Sequence, residues 1–184
     1  MHVLQYLKGS INVGLFYPAQ NEFVLKGYCD ADWGSCISTA KSLSGYAMFL
    51  GNSLISWKTK KQKTTSKSTC EAEYRSMSYA TSELIWLHGL LSDLHITVSL
   101  PVELCCDNTA AQYIAENQVY QERTKHLRVD CHFIRDYVDN GFLQLIHVPS
   151  SLQLADVLTK ALSASQVRFL CSKLGLVLNH PSSA

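Results

Sequence analysis

The stretch "STCEAEYRSMSYATSELIWLHGLLSDL", residues 68 to 94, reads as one long helix. Met77, Ala80, Leu84, Leu87, Leu91 and Leu94 follow one another at intervals of three or four residues, which draws a single apolar stripe toward a core. Extending that stripe one turn backward reaches Glu73, whereas Glu71 falls with Arg75, Ser78 and Ser82 on the wet face. A carboxylate on a core-facing stripe is costly unless it binds something. Glu73 is therefore the acid that needs an explanation.

Upstream, "VLQYLK" within residues 1 to 8 has the look of a helix end, and "GLFY" and "FVLKGYC" are β-rich runs on either side of the polar turn "PAQNE". Asp30 stands where the second run stops. "SGYAMFLG" and "SLISWKT" form a hairpin about Gly51-Asn52, because Gly and Asn supply the turn conformation. Downstream, "VELCC" after Pro101 is a buried strand, and Asp107-Asn108 opens a helix. An N-cap role is a sufficient structural reason for Asp107. A helix from about Thr124 to Val138 ends at Asn140-Gly141 and hands over to the strand "FLQLIHV". Ser150 and Gln153 then form an S-x-x-Q capping box after Pro149, which predicts a helix carrying Leu154, Val157, Leu158 and Ala161 inward with Asp156 at its edge. "SASQVRFLCSKLGL" supplies a last helix before a polar tail.

A chain of 184 residues supports one substantial core with appendages. The balance of 47% hydrophobic and 17% charged residues fits a soluble globular protein, and no window approaches a membrane span. The start lacks a secretory signal, so the expected location is intracellular, with no membrane partner. Seven scattered cysteines without a C-x-x-C pair point to reduced core thiols rather than a disulfide framework or a zinc module. The net charge of +1 hides a local excess: "WKTKKQKTTSK" carries Lys58, Lys60, Lys61, Lys63 and Lys67 and no acid. Such a run is either a solvated loop or a contact for a phosphate backbone.

Four acids thus stand at element ends: Asp30, Glu73, Asp107 and Asp156. Four neighbouring carboxylates cannot all remain ionised without cations. Hard oxygen donors suit Mg²⁺ or Mn²⁺, and two such ions suit cleavage of a phosphodiester.

The blocks "GYCDADWGS", "SGYAMFLGNSLISWKTKKQKTTSKSTCEAEY", "CDNTAAQYIAEN", "RTKHLRVDCHFIRD" and "VPSSLQLADVLTKAL" together resemble the ribonuclease H domain of plant Ty1/copia-type retrotransposon Pol polyproteins. The resemblance implies an α/β ribonuclease H-like fold: a mixed five-stranded sheet, three antiparallel strands followed by parallel ones, with helices on both faces. It implies that residues 1–20 are a remnant of the reverse transcriptase connection, 21–176 the ribonuclease H domain and 177–184 a polar tail. The family's four-carboxylate set falls on Asp30, Glu73, Asp107 and Asp156, serving as catalytic groups and as ligands for two Mg²⁺ ions, with Mn²⁺ an alternative. Asp30 and Asp32 share strand parity, and only the resemblance favours Asp30; Asp32 stays a candidate for an outer role. The implied partners are an RNA/DNA hybrid, gripped by the lysine run, and the reverse transcriptase domain of the parent polyprotein. His126 lies in a matching block and His147 nine residues before Asp156, which makes both candidates for auxiliary roles. An inactive fragment that only binds nucleic acid is the competing reading.

Overall fold

The computed structural model describes residues 4, 8–116 and 128–178. Its frame is a five-stranded sheet built from β2 (Leu25–Asp32), β3 (Leu43–Leu50), β4 (Ser53–Lys61), β5 (Val102–Cys106) and β6 (Leu143–His147). Their order across the sheet is β4-β3-β2-β5-β6, with β2, β3 and β4 antiparallel and β5 and β6 parallel to β2. This is the mixed sheet that the family resemblance implies. The Gly51-Asn52 hairpin is present, with Gly51 at φ +57°, where a side chain would be strained.

Helix α1 (Thr69–Asp93) covers one face of the sheet. Ser68 caps it by accepting the Glu71 amide, and Met77, Ala80, Leu84, Leu87 and Leu91 are buried. Leu94, the last residue of the expected stripe, is exposed just past the helix end. Gly27 lets α1 approach closely, since a β-carbon there would lie 3.3 Å from a Leu84 methyl and 2.9 Å from Met48 Sδ. Helix α2 (Thr109–Glu116) follows β5, and α3 (Arg128–Asp139) packs on α1 through Ile134 and Phe133. The helix start expected near Thr124 lies outside the described residues, as does most of the helix end expected at residues 1 to 8.

The second face carries a smaller core of Ala47, Phe49, Leu54, Leu154, Leu170 and Leu174. The helix that the Ser150 capping pattern predicts is absent. Residues 150 to 161 form no α-helix but two 3₁₀ turns, Ser150–Leu152 and Leu154–Leu158. Ser150 spends its hydroxyl on Asp107 instead of capping its own turn. Gln153, fully buried, donates from Nε2 to the Cys29 carbonyl at 3.0 Å and accepts the Ala155 amide, which pins the chain to β2 between the two turns. The capping box lies one element later, where Ser163 and Gln166 open α4 (Ala164–Lys173). β1 (Val13–Leu15), in the segment expected to be the connection remnant, pairs antiparallel with β7 (Leu176–Leu178), which straddles the expected start of the tail. Leu15 and Leu176 pack on the smaller core, and the Tyr17 hydroxyl donates to the Leu54 carbonyl at 3.0 Å.

Gly45 lies opposite Asp30 in the sheet, and a β-carbon there would stand 2.7 Å from Thr159 Cγ2 and 3.0 Å from Leu158 Cβ. Glycine at this position lets the turn that carries Asp156 close onto β2 and β3. Gly45→Ala should cost about 1–3 kcal/mol of stability as the overpacked turn lifts, read from the urea midpoint; an unchanged midpoint would mean that the turn does not rest on Gly45.

Candidate active site

The parallel strand β5 ends at Cys106 beside the last residues of β2, and the four acids gather around that point. Asp30 is fully buried near the end of β2. Cys29, one residue earlier, belongs to the α1 core, so the alternation of the strand turns Asp30 to the opposite side. There one Asp30 oxygen accepts from the Thr159 hydroxyl, and the other lies 2.9 Å from Lys160 Nζ. Asp156, buried in the second 3₁₀ turn, lies 2.7 Å from the same ammonium. Asp107 accepts the Ser150 hydroxyl at 2.7 Å. Capping of α2 falls to Asn108, whose Oδ1 accepts the Ala111 amide at 2.9 Å, and Asp107 is thereby left to the site.

Glu73 enters from α1. It is 4% exposed, and its Oε2 has no hydrogen-bond partner. Buried polar atoms are almost always paired, so this orphan oxygen calls for a ligand. Two overlapping groups have ligand atoms within 4.8 Å of one another: Asp30, Asp107 and Asp156, and Glu73, Cys106 and Asp107. The shared Asp107 links them. Hard carboxylate oxygens dominate both groups, and such donors fit divalent ions of the Mg²⁺ and Mn²⁺ type.

Electrostatics point the same way. Burial, then the negative charges of Asp30, Cys106 and Asp107, push the Glu73 carboxyl up to about 10, against the opposing pull of Lys160. Burial also raises Asp156 to about 6, with Asp30 and Asp107 adding to it and Lys160 working against it. Half-burial pulls Lys160 down, but its bonds to Asp156 and Asp30 outweigh that and hold it above its ordinary value, so it stays an ammonium.

Asp32 is half-buried and belongs to neither group, so burial and partners separate it from Asp30. His147 is exposed at the end of β6, opposite Cys106, and also belongs to neither group; His126 lies outside the described residues. Glu71 corrects the wet-face reading. It is buried, accepts the Lys67 amide at 2.7 Å and pairs with Arg75 at 2.7 Å, and so fixes the start of α1.

The lysine run is only partly a loop: Lys58, Lys60 and Lys61 lie on β4 at the sheet edge, and Lys63 and Lys67 on the connection from β4 to α1. Lys58 and Lys60 share a shallow cleft with Tyr46 and Tyr79, on the α1 side. Lys61 turns the other way, with Nζ 3.3 Å from Cys36 Sγ. Thr59, between Lys58 and Lys60, lies in register with Gly45 and through it with Asp30, two strand spacings or roughly 10 Å away. Thr159, Lys160, Ser150 and Gln153 were not read from sequence as site residues. For Lys160 the signal was available, since it follows Asp156 by four residues.

No family model matches the chain. It is 42% identical over 180 residues to the retrovirus-related Pol polyprotein from transposon RE1 of Arabidopsis thaliana, an alignment covering 98% of this chain and 12% of that protein. The chain is a homologue of one segment of the Ty1/copia-type Pol polyproteins. The polyprotein of transposon TNT 1-94 from Nicotiana tabacum is 35% identical over 172 residues, 94% of this chain and 13% of its own length. This Pol-related chain thus spans about an eighth of the length of these two polyproteins. Among solved structures, the N-terminal ribonuclease H domain of rv2228c from Mycobacterium tuberculosis, studied as a fusion with maltose-binding protein, superposes with a TM-score of 0.53. That match covers 82% of this chain and 98% of the other at 12% identity, and it shows the ribonuclease H fold.

Glu73 and Asp156 both titrate above their ordinary values near 4.5 and 3.8. The metal-free folded chain therefore holds protons that the unfolded chain has lost. This stabilising contribution is complete below the ordinary values; Asp156 loses its share as pH rises to about 6, and Glu73 goes on losing its share to about 10. Glu73→Gln should flatten the fall in metal-free melting temperature between about pH 6 and about pH 9; parallel curves for the two proteins would show that Glu73 is not buried as a neutral acid.

Proposed function

We propose that the chain hydrolyses the RNA strand of RNA/DNA hybrids, with Asp30, Glu73, Asp107 and Asp156 as the catalytic carboxylates and as ligands for two divalent ions, Mg²⁺ or Mn²⁺. One observation carries the reading: acids from four separate elements converge on one rim, and the most buried of the helix-borne ones leaves an oxygen unpaired. The ribonuclease H fold and the Pol homology support the same class of activity.

Bound divalent ions supply a water of lowered pKa and neutralise charge on the departing oxygen. The chain's own residues do the positioning. Thr159 holds one oxygen of Asp30 and Ser150 orients Asp107, while in the metal-free chain Lys160 ties Asp156 to the other oxygen of Asp30. Glu73 rides on a helix locked by its core stripe, so its carboxylate has little freedom.

Lys58, Lys60, Lys61, Lys63 and Lys67 hold phosphates of the hybrid by salt-sensitive contacts. All five are exposed, and the first three project from the edge strand on both sides, which suits a backbone that passes across the edge. Exposed lysines also protect an edge strand from pairing with other chains, and on that reading alone they would not affect hybrid affinity. We take residues 21–176 as the catalytic domain and residues 1–20 as the continuation of a reverse transcriptase connection, with that transcriptase as the partner in the parent polyprotein. No helix among the described residues is long and apolar enough to cross a membrane.

The test is cleavage of an end-labelled RNA/DNA hybrid in Mg²⁺. Asp107→Asn should lower the rate by more than the roughly 10–100-fold that follows loss of an outer partner of a metal ligand, and chelation should abolish cleavage. Undiminished cleavage by Asp107→Asn would remove Asp107 from the mechanism, and binding of the hybrid without any cleavage would favour the inactive-fragment reading.

A further inference from the structure

Lys160 places its ammonium between two buried carboxylates. Nζ stands 2.7 Å from Asp156 Oδ1 and 2.9 Å from Asp30 Oδ1. Its own side chain is 32% exposed while that of Asp30 is fully buried, so the lysine stem runs from solvent to the floor of the site. Of the groups that touch these two acids, Thr159 is neutral, and Lys160 brings the cation.

A divalent ion shared by the same two oxygens needs them at about 2.0–2.1 Å if it is Mg²⁺. It would therefore claim the space that Nζ already fills. Two cations in one place repel strongly in a buried site, where charge is poorly screened. The lysine has an exit, because its flexible four-carbon stem already reaches solvent.

We propose that Lys160 is a tethered stand-in cation. It holds Asp30 and Asp156 together in the metal-free chain, and a divalent ion that takes those oxygens displaces it, so Lys160 sets how tightly the site binds metal. This rests on the reading of the cluster as a metal site. It is a positioning role, distinct from a fixed strut that keeps its place beside the ion.

Calorimetric titration with Mn²⁺ alone, without nucleic acid, separates these roles. Lys160→Met should bind Mn²⁺ about tenfold more tightly than the wild type, since each factor of ten needs only modest relief from competition. Lys173→Met on α4 removes the same charge away from the cluster and should leave the affinity within about twofold, because separated surface charges are screened. Lys160→Arg, which keeps the cation, should bind no more tightly than the wild type. Unchanged or weaker binding by Lys160→Met, or equal tightening by Lys173→Met, overturns the proposal while leaving the metal site standing. No Mn²⁺ uptake by any of these proteins overturns both. On the wild-type chain, the side-chain ammonium of Lys160 should lose its protection from proton exchange when Mg²⁺ saturates the site, as followed by NMR; protection that persists makes it a fixed strut.

Discussion

Negative charge brought together out of water must be compensated, and this chain is arranged around that constraint. Asp30, Asp107 and Asp156 share one small space, and Glu73 and Cys106 adjoin it through Asp107. One ammonium, Lys160, bridges two of the acids, while burial and its neighbours drive Glu73 toward its neutral form. A neutral acid and a bridging lysine are the means available to a chain without metal. Neither satisfies Glu73 Oε2, which remains without a partner.

The fold supplies this crowding from both faces of the sheet. Parallel pairing of β2 with β5 puts the ends of both strands at one edge of the molecule, as in other α/β sheets whose sites lie beyond the carboxyl ends of strands. Helix α1 brings Glu73 in from one face, and the turns after β6 bring Asp156 in from the other. Gly45 and Gln153 serve the second approach: one makes room for the turn, and the other ties it to β2. The pairing of β1 with β7 closes the smaller core behind that turn and joins the two ends of the described chain.

Much of this was legible in the sequence where a periodic pattern was long. The stripe of α1 distinguished Glu73 from Glu71, because five turns of spacing outweigh any single residue. It misjudged Glu71, since burial of that side chain depends on Arg75 and the Lys67 amide rather than on the stripe. Short elements were harder. The S-x-x-Q pattern at Ser150 met the local rule for a cap, yet both side chains were claimed by distant partners, Asp107 and Cys29. Pairing of three-residue strands 161 residues apart leaves no local signal. Asp107 and Asn108 competed for one capping role, and the packing assigned it to Asn108. Asp30 and Asp32 share parity, and burial together with the arrival of Thr159 and Lys160 at the first distinguishes them. Lys160 was overlooked because lysine is ordinarily a surface residue, although its spacing from Asp156 marked a contact.

The most direct measurement is anomalous scattering from crystals soaked in Mn²⁺. The account predicts manganese peaks within coordinating distance of Asp30, Glu73, Asp107 and Asp156, with Lys160 Nζ withdrawn from Asp30 and Asp156. Peaks confined to other surfaces at saturating Mn²⁺, with the lysine bridge intact and Glu73 Oε2 still alone, would contradict it.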